Sequence, residues 1–304
     1  MKSSLKIKIF LIITFGIVFS ASIISISNQF ADDSEQSVNR NNDLDISTIS
    51  GKIHIDNNWT DTKTAGICTG QGTESDPYFI EDLIIDGGGI GSCILIGNST
   101  EYFTIENCTL TNWGIYYYDA GIKIVAASNG NLTQNQFSNP DAFGIVLYES
   151  NNNDIARNLI SAERGLSVRF SNSNIVYLNN FINSMYNVEL HNSTGNIWST
   201  LKKMKYIYNS DTFSSRLGNY WSKFGGIDNN NNGIGDNPVI MDQHLPSSQW
   251  IYTDYYPLIT PIANYEILGV ASDAAIPSYH IILILSIFSI ISIILLKKTR
   301  KLQK

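Results

Sequence analysis

Apolar and polar positions in the middle of the chain recur at a spacing a little over twenty residues. With Gly121, Gly144 and Gly165 as position zero of three segments, the spacings are 23 and 21. One residue on stand Ile122, Ile145 and Leu166, and three on stand Ile124, Leu147 and Val168. Leu132, Ile155 and Val176 follow at offset eleven, Asn135, Asn158 and Asn179 at fourteen, and Phe137, Ile160 and Phe181 at sixteen. Side chains of a strand alternate between faces, so offsets one and three point into a core and offsets two and four point out. A helical repeat would place apolar residues three and four apart, and this stretch lacks that pattern. The reading is an all-β chain whose body is a right-handed parallel β-helix. Its coils stack about 4.8 Å apart, which turns the Asn at offset fourteen into a ladder of amides. The Gly at position zero is expected to turn each corner with a positive φ. A partial copy starts at Cys93, with Ile94, Ile96 and Asn107 in register, and another at Asn187, with Val188 and Leu190. One coil cannot bury its own apolar face, so the array must stack and be capped at both ends.

Two longer apolar runs lie outside the repeat. Lys2, Lys6 and Lys8 precede an apolar stretch from Ile9 to about Ile26. That is the layout of a secretory signal, without a clean small-residue cleavage site, so an uncleaved anchor stays open. From Ile276 to Leu296 the chain is apolar and ends in Lys297, Lys298, Arg300 and Lys301. About 21 residues of helix span roughly 30 Å of hydrocarbon, and the basic tail reads as cytoplasmic. The expected organisation is a signal peptide or anchor over 1–31, a polar linker over 32–50, and the β-helix with its N-terminal cap over 51–197. A C-terminal cap over 198–260, a stalk over 261–275, a transmembrane helix over 276–296 and a basic tail over 297–304 complete it. The body is then extracytoplasmic, in a chain that crosses the membrane once if the signal is cleaved.

Charge sharpens this picture. Of 20 basic residues, the eight at Lys2, Lys6, Lys8, Lys297, Lys298, Arg300, Lys301 and Lys304 lie at the ends, which leaves 12 against 27 acidic residues in the body. A body that acidic is repelled by a phosphate backbone, which excludes nucleic acid as a partner class. About one residue in nine is Asn, well above ordinary usage, as suits a chain rich in turns. Cys68, Cys93 and Cys108 allow one disulfide in an oxidising compartment, and none is placed at zinc spacing. Sequons at Asn58, Asn98, Asn107, Asn131 and Asn192 permit N-glycosylation.

Three motifs carry a resemblance. They are Gly-Asn-Tyr-Trp-Ser (Gly218 to Ser222), Asp228 through Gly233-Ile234-Gly235-Asp236, and Asp254-Tyr255-Tyr256-Pro257-Leu258. Together they resemble the closing motif of NosD-like right-handed β-helix proteins, also described as carbohydrate-binding and sugar-hydrolase repeats. The opening Gly72-Thr73 to Asp76-Pro77-Tyr78 is similar to the same group, above all its archaeal surface-anchored members. The resemblance covers about Gly51 to Ile259 and speaks to fold, since a fold does not dictate activity.

Three functions are open at this level. The first is a non-enzymatic, membrane-anchored surface protein that binds glycans or neighbouring surface proteins. At offset four stand Val125, Tyr148, Arg169 and His191, and at offset two Lys123, Val146, Ser167 and Glu189. Tyr148, Arg169, Glu189 and His191 therefore share one exterior face, an aromatic platform beside a fork donor and an acceptor, as suits a sugar. The second is a polysaccharide lyase or glycosidase acting on acidic sugars, for which the register offers no paired carboxylates because Glu149 and Asp154 are expected in turns. The third is the copper handling that the resemblance implies, with the imidazoles of His54, His191 and His244 and the soft thioethers of Met185, Met204 and Met241 as the available ligands, of which only Met241 and His244 are neighbours in sequence. A structural calcium loop is expected at Asp228, Asn230, Asn232, the Ile234 carbonyl and Asp236, whose alternate oxygens follow the order of a calcium loop around Gly233. It lacks the closing bidentate Glu, so its affinity should be weak, on the order of 10⁻⁴–10⁻³ M.

Overall fold

The structure, a computed structural model, describes residues 48–116, 118–182, 184, 186–241 and 252–271. It is a parallel β-solenoid with almost no helix. Each coil lays one strand on each of three faces. The first face stacks Ile53–Asp56, Ile94–Gly97, Ala120–Val125, the second half of Gln136–Tyr148, the second half of Leu159–Arg169, and Tyr186–His191. The second stacks Tyr78–Glu81, Phe103–Glu106, Gly130–Thr133, Asp154–Ala156 and Ile175–Tyr177. The third runs from Thr48–Ser50, within the stretch expected to be linker, through Leu83–Asp86 and Thr109–Thr111 to the first halves of the two long strands, then Asn180–Phe181 and Tyr220–Trp221. All these pairs are parallel.

The register read from the sequence holds. Ile122, Ile145, Leu166 and Val188 pair in one row and Ile124, Leu147, Val168 and Leu190 in the next. Their side chains fill one core, with Ile122, Ile145, Leu147 and Val168 fully buried. The Asn ladder also forms. Asn135 N–H donates to Asn158 Oδ1, Asn158 N–H to Asn179 Oδ1 and Asn179 N–H to Asn219 Oδ1, at 3.0, 3.0 and 3.1 Å. Two further buried ladders run beside it. Asn153, Asn174 and Asn196 accept backbone N–H groups from the preceding coil at 2.9 Å, and Ser150, Ser171 and Ser193 do the same through their hydroxyls. Each ladder replaces the backbone partners that a buried turn would otherwise leave unmade.

Two expectations are corrected. The glycines at position zero do not turn the corners, since none of Gly121, Gly144 and Gly165 has a positive φ. They are small because the core presses on them. A Cβ would stand within 2.6 Å of Phe137 at Gly121, of Ile160 at Gly144 and of Phe181 at Gly165. The corners are turned by Asn57, Asn98, Ala126, Glu149, Phe170 and Asn192, stacked at φ 48–54°, a conformation in which bulky residues are uncommon. The second correction concerns Asn107. Ile105 pairs with Leu132, so Cys108 stands at the ladder level and its N–H donates to Asn135 Oδ1. Asn107 is an exposed corner residue at φ 51°.

The two ends are sealed differently. Near the N-terminal end a one-turn helix, Trp59–Thr64, carries the buried Trp59 against Tyr78, ring centroids 4.7 Å apart. At the other end the ladder stops on a carboxylate. Asp254 is fully buried and accepts from Asn219 N–H and Nδ2, Trp221 Nε1 and Tyr256 N–H. Burial pushes its carboxyl from the ordinary 3.8 up to about 6, against the pull of those donors. A second small core under the antiparallel strands Met204–Tyr208, Asp211–Ser215 and Tyr265–Val270 holds Tyr206, Tyr208, Leu217, Leu258 and Tyr265.

Candidate functional site

The outer side of the first face builds the site. Strand alternation puts Tyr148, Arg169 and His191 in one row, directly paired, and Val146, Ser167 and Glu189 in the row beside it. All four residues expected there from the sequence are brought together. Arg169 Nη1 lies 3.0 Å from Glu189 Oε1, with 18% and 39% of the two side chains exposed. At the adjoining corner Phe170 stands edge-on to Tyr148 at 5.7 Å and to His191 at 5.2 Å. Its left-handed backbone turns a large ring to the surface at a corner where the other coils carry Asn, Ala or Glu.

Three aromatic and basic residues of this face were missed in the sequence. Phe143 and Arg164 pair in a third row, just before the glycines, and the Arg164 guanidinium lies 5.2 Å over the Phe143 ring. The third is Tyr118. Register partners Ile94 and Ile122 are 28 residues apart, against 23 for Ile122 and Ile145. Most of the excess lies between Thr111 and Ala120. This excursion folds over the outer face and packs Tyr118 on Phe143, 5.7 Å between centroids, while the Arg169 guanidinium stacks 4.8 Å from the Tyr118 ring. Val146, nominally outward, is fully buried as a result. Tyr118 divides the face into two hollows of about 230 and 220 Å³. One is lined by Tyr116, Asp119, Asp141, Phe143 and Arg164, the other by Lys123, Val125, Val146 and Tyr148. The length of the excursion was the available signal; its direction was not.

Elsewhere the expected sites are partly populated. In the Asp228–Asp236 loop, Asp228 accepts Asn232 N–H at 3.1 Å and Gly233 N–H at 2.8 Å, and Asp236 Oδ2 accepts Asn229 N–H and Nδ2. Asn230 and Asn232 accept the N–H groups of Asn232 and Ile234. Gly233 has the positive φ, 83°, that the turn needs. The loop thus closes through its own amides. The five sequon asparagines Asn58, Asn98, Asn107, Asn131 and Asn192 are all exposed. Four of them are engaged: Asn98 Nδ2 with Asp56 at 2.6 Å, Asn107 Nδ2 with Asp82 at 2.8 Å, Asn192 Nδ2 with His191 Nε2 at 3.3 Å, and Asn58 Oδ1, which accepts Asp56 N–H at 2.8 Å. Cys68, Cys93 and Cys108 are buried and free, with no disulfide among them. Asp154, expected in a turn, sits in a strand, and burial raises its carboxyl above the usual range.

Comparison with known proteins follows the same lines. A family described as periplasmic copper-binding protein (NosD) matches residues 16–226, more than two-thirds of the chain. The chain belongs to the NosD family. That membership makes the body an extracytoplasmic β-helix. No match was found among curated proteins. A solved structure described as the complex structure of XylC with xylose shares 16% identity over 53% of this chain and 28% of its own, at a TM-score of 0.33, too slight to bear on function. Among the described residues no helix is long and apolar enough to cross a membrane, and Ile276–Leu296 lies outside them.

The NosD description brings copper, and the donors among the described residues do not fit it. Cys93 and Cys108 donate to backbone carbonyls, and burial pushes their thiols up to about 12 and about 11, so neither offers a thiolate. His54 and His191 stand on the first and sixth strands of the outer face, five steps of about 4.8 Å apart, too far for one ion. No group of three His, Cys, Asp or Glu side chains comes together among the described residues. Met204 packs against the second core. Met185 and His244 lie outside the described residues, as does the side chain of Met241.

Proposed function

We propose that the solenoid, held at the membrane by its C-terminal apolar segment, binds the sugars of surface glycans through its first face. The observation that carries this reading is the adjacency of Tyr148, Phe170 and His191 to the Arg169–Glu189 pair on flat, backbone-fixed strands. Aromatic rings take the apolar face of a pyranose, and a guanidinium beside a carboxylate offers donor and acceptor to neighbouring hydroxyls. Strands hold such a constellation more rigidly than loops, so little ordering entropy is lost on binding. A second reading has its own support. Asp119 and Asp141 line one hollow with Arg164, a carboxylate pair that the repeat register does not contain, and carboxylate pairs cleave glycosidic bonds.

One assay addresses both. Full-length protein is applied to an array of neutral and acidic oligosaccharides while released reducing and unsaturated ends are measured in parallel. The expected outcome is retention of a saccharide, abolished by Arg169→Ala, with no release. Release that is lost in Asp119→Asn and Asp141→Asn would make the protein a glycosidase if the new ends are saturated and a lyase if they are unsaturated. Absence of retention for every sugar would refute the glycan reading and leave a protein partner.

A further inference from the structure

Two buried polar atoms beneath the outer face have no hydrogen-bond partner among the described residues. Ser167 is fully buried beside Val146, and its Oγ has no hydrogen-bond partner. The Nε of Arg169 is likewise buried and without a partner, although the same guanidinium pairs with Glu189 through Nη1 and stacks on Tyr118. Buried polar side chains are rarely left unmade, and each such atom asks for an explanation. Tyr118 lies beside them, at φ 63°, the left-handed state that the coil corners also use. Its ring packs on the small buried cluster of Ala120, Phe143 and Val146 and against the Arg169 guanidinium.

The hollows supply the size argument. Each is smaller than the roughly 300 Å³ at which small-molecule sites begin, and Tyr118 is the wall they share. Moved aside, it would leave one groove across the rows of Phe143, Val146 and Tyr148. Charge then selects among sugars. Around this groove Lys123, Arg164 and Arg169 are matched by Asp119, Asp141 and Glu189, so an anionic ligand gains nothing over a neutral one from net charge.

We propose that Tyr118 is a lid over a subsite for a neutral hexose unit, occupying in the free protein the place that the sugar takes in the complex. The sugar ring lies on Phe143 and Tyr148, and its hydroxyls meet Arg169 Nε and Ser167 Oγ. This rests on the glycan reading above and adds the ligand's charge class and the gate. A protein that must open before binding shows an affinity reduced by the open fraction, and removing the lid restores it.

The test is titration calorimetry of full-length wild type, Tyr118→Ala and Arg169→Ala with the neutral hexasaccharide retained most strongly on the array and with oligogalacturonate. Melting curves of each variant serve as the folding control. The lid predicts that Tyr118→Ala binds the neutral sugar about tenfold more tightly, the released contacts being of the cation–π and ring-packing size, while oligogalacturonate is not preferred. Weaker or unchanged binding in Tyr118→Ala, with dependence on Arg169 retained, overturns the lid and leaves the glycan site standing, with Tyr118 as part of its platform if weaker. Preference for oligogalacturonate overturns the neutral class. No binding of either sugar by wild type and Tyr118→Ala overturns the lid together with the glycan reading on which it rests.

Discussion

Single residues carry most of this fold's specificity, because the ladders concentrate many hydrogen bonds on few side chains. Asn158 accepts from Asn135 N–H and Nδ2 and donates to Leu132 O and Asn179 Oδ1. Removing its amide strands several buried groups at roughly 1–3 kcal/mol each. Asn158→Ala should therefore lower unfolding free energy by several kcal/mol in denaturant titrations, while Ala at Asn131, an exposed strand residue outside the ladder, changes little. Equal effects would mean that the ladder is not the buried seam described. Asp254 makes the pH-dependent counterpart. Its carboxyl is raised in the folded state, so the native protein holds that proton longer than the unfolded chain. Its contribution is fully present below about pH 4 and is lost as pH rises through about 6. Against an Asp254→Asn control, the wild type should lose on the order of 3 kcal/mol between pH 4 and pH 7. A difference that stays flat over that window would show the cap carboxylate titrating normally.

At the scale of elements, the strand register was legible and the loops were not. Offsets one, three, eleven and sixteen are apolar because each side chain is forced inward by a period of two, and those rows pair as read. The Ser and second Asn ladders were equally present, at offsets six and nine, in Ser150, Ser171 and Ser193 and in Asn153, Asn174 and Asn196. What the pattern could not give was the role of Gly144, small against Ile160 rather than left-handed, since sequence alone does not separate a close approach from a positive φ. Nor could it give the direction of the excursion carrying Tyr118, which has no counterpart in neighbouring coils. The candidate face was thus half legible: Tyr148, Arg169, Glu189 and His191 follow from register, while Tyr118, Phe143 and Phe170 needed coordinates. The Asp228–Asp236 loop is checked as an element. Calcium at millimolar concentration should raise the melting temperature by a few degrees over chelator, an increment lost in Asp228→Ala and Asp236→Ala. Identical curves would reduce it to a turn held by its own amides.

The described solenoid presents one outer face that carries the candidate site. Solenoid coils contact only their neighbours, so the stack needs both seals, Trp59 at one end and Asp254 at the other, to stay folded. Topology is tested in intact cells: protease added outside should digest the body and spare only a fragment near Ile276–Lys304, whereas full protection would place the body inside. The central claim is that the face of Tyr148, Arg169 and Phe143 is where a sugar sits. A crystal structure of the protein soaked with its best-retained neutral oligosaccharide tests it most directly. The account predicts a pyranose stacked on that face, bonded to Arg169 Nε, with Tyr118 displaced. An ordered sugar on another face, with Tyr118 still resting against Arg169, would contradict it.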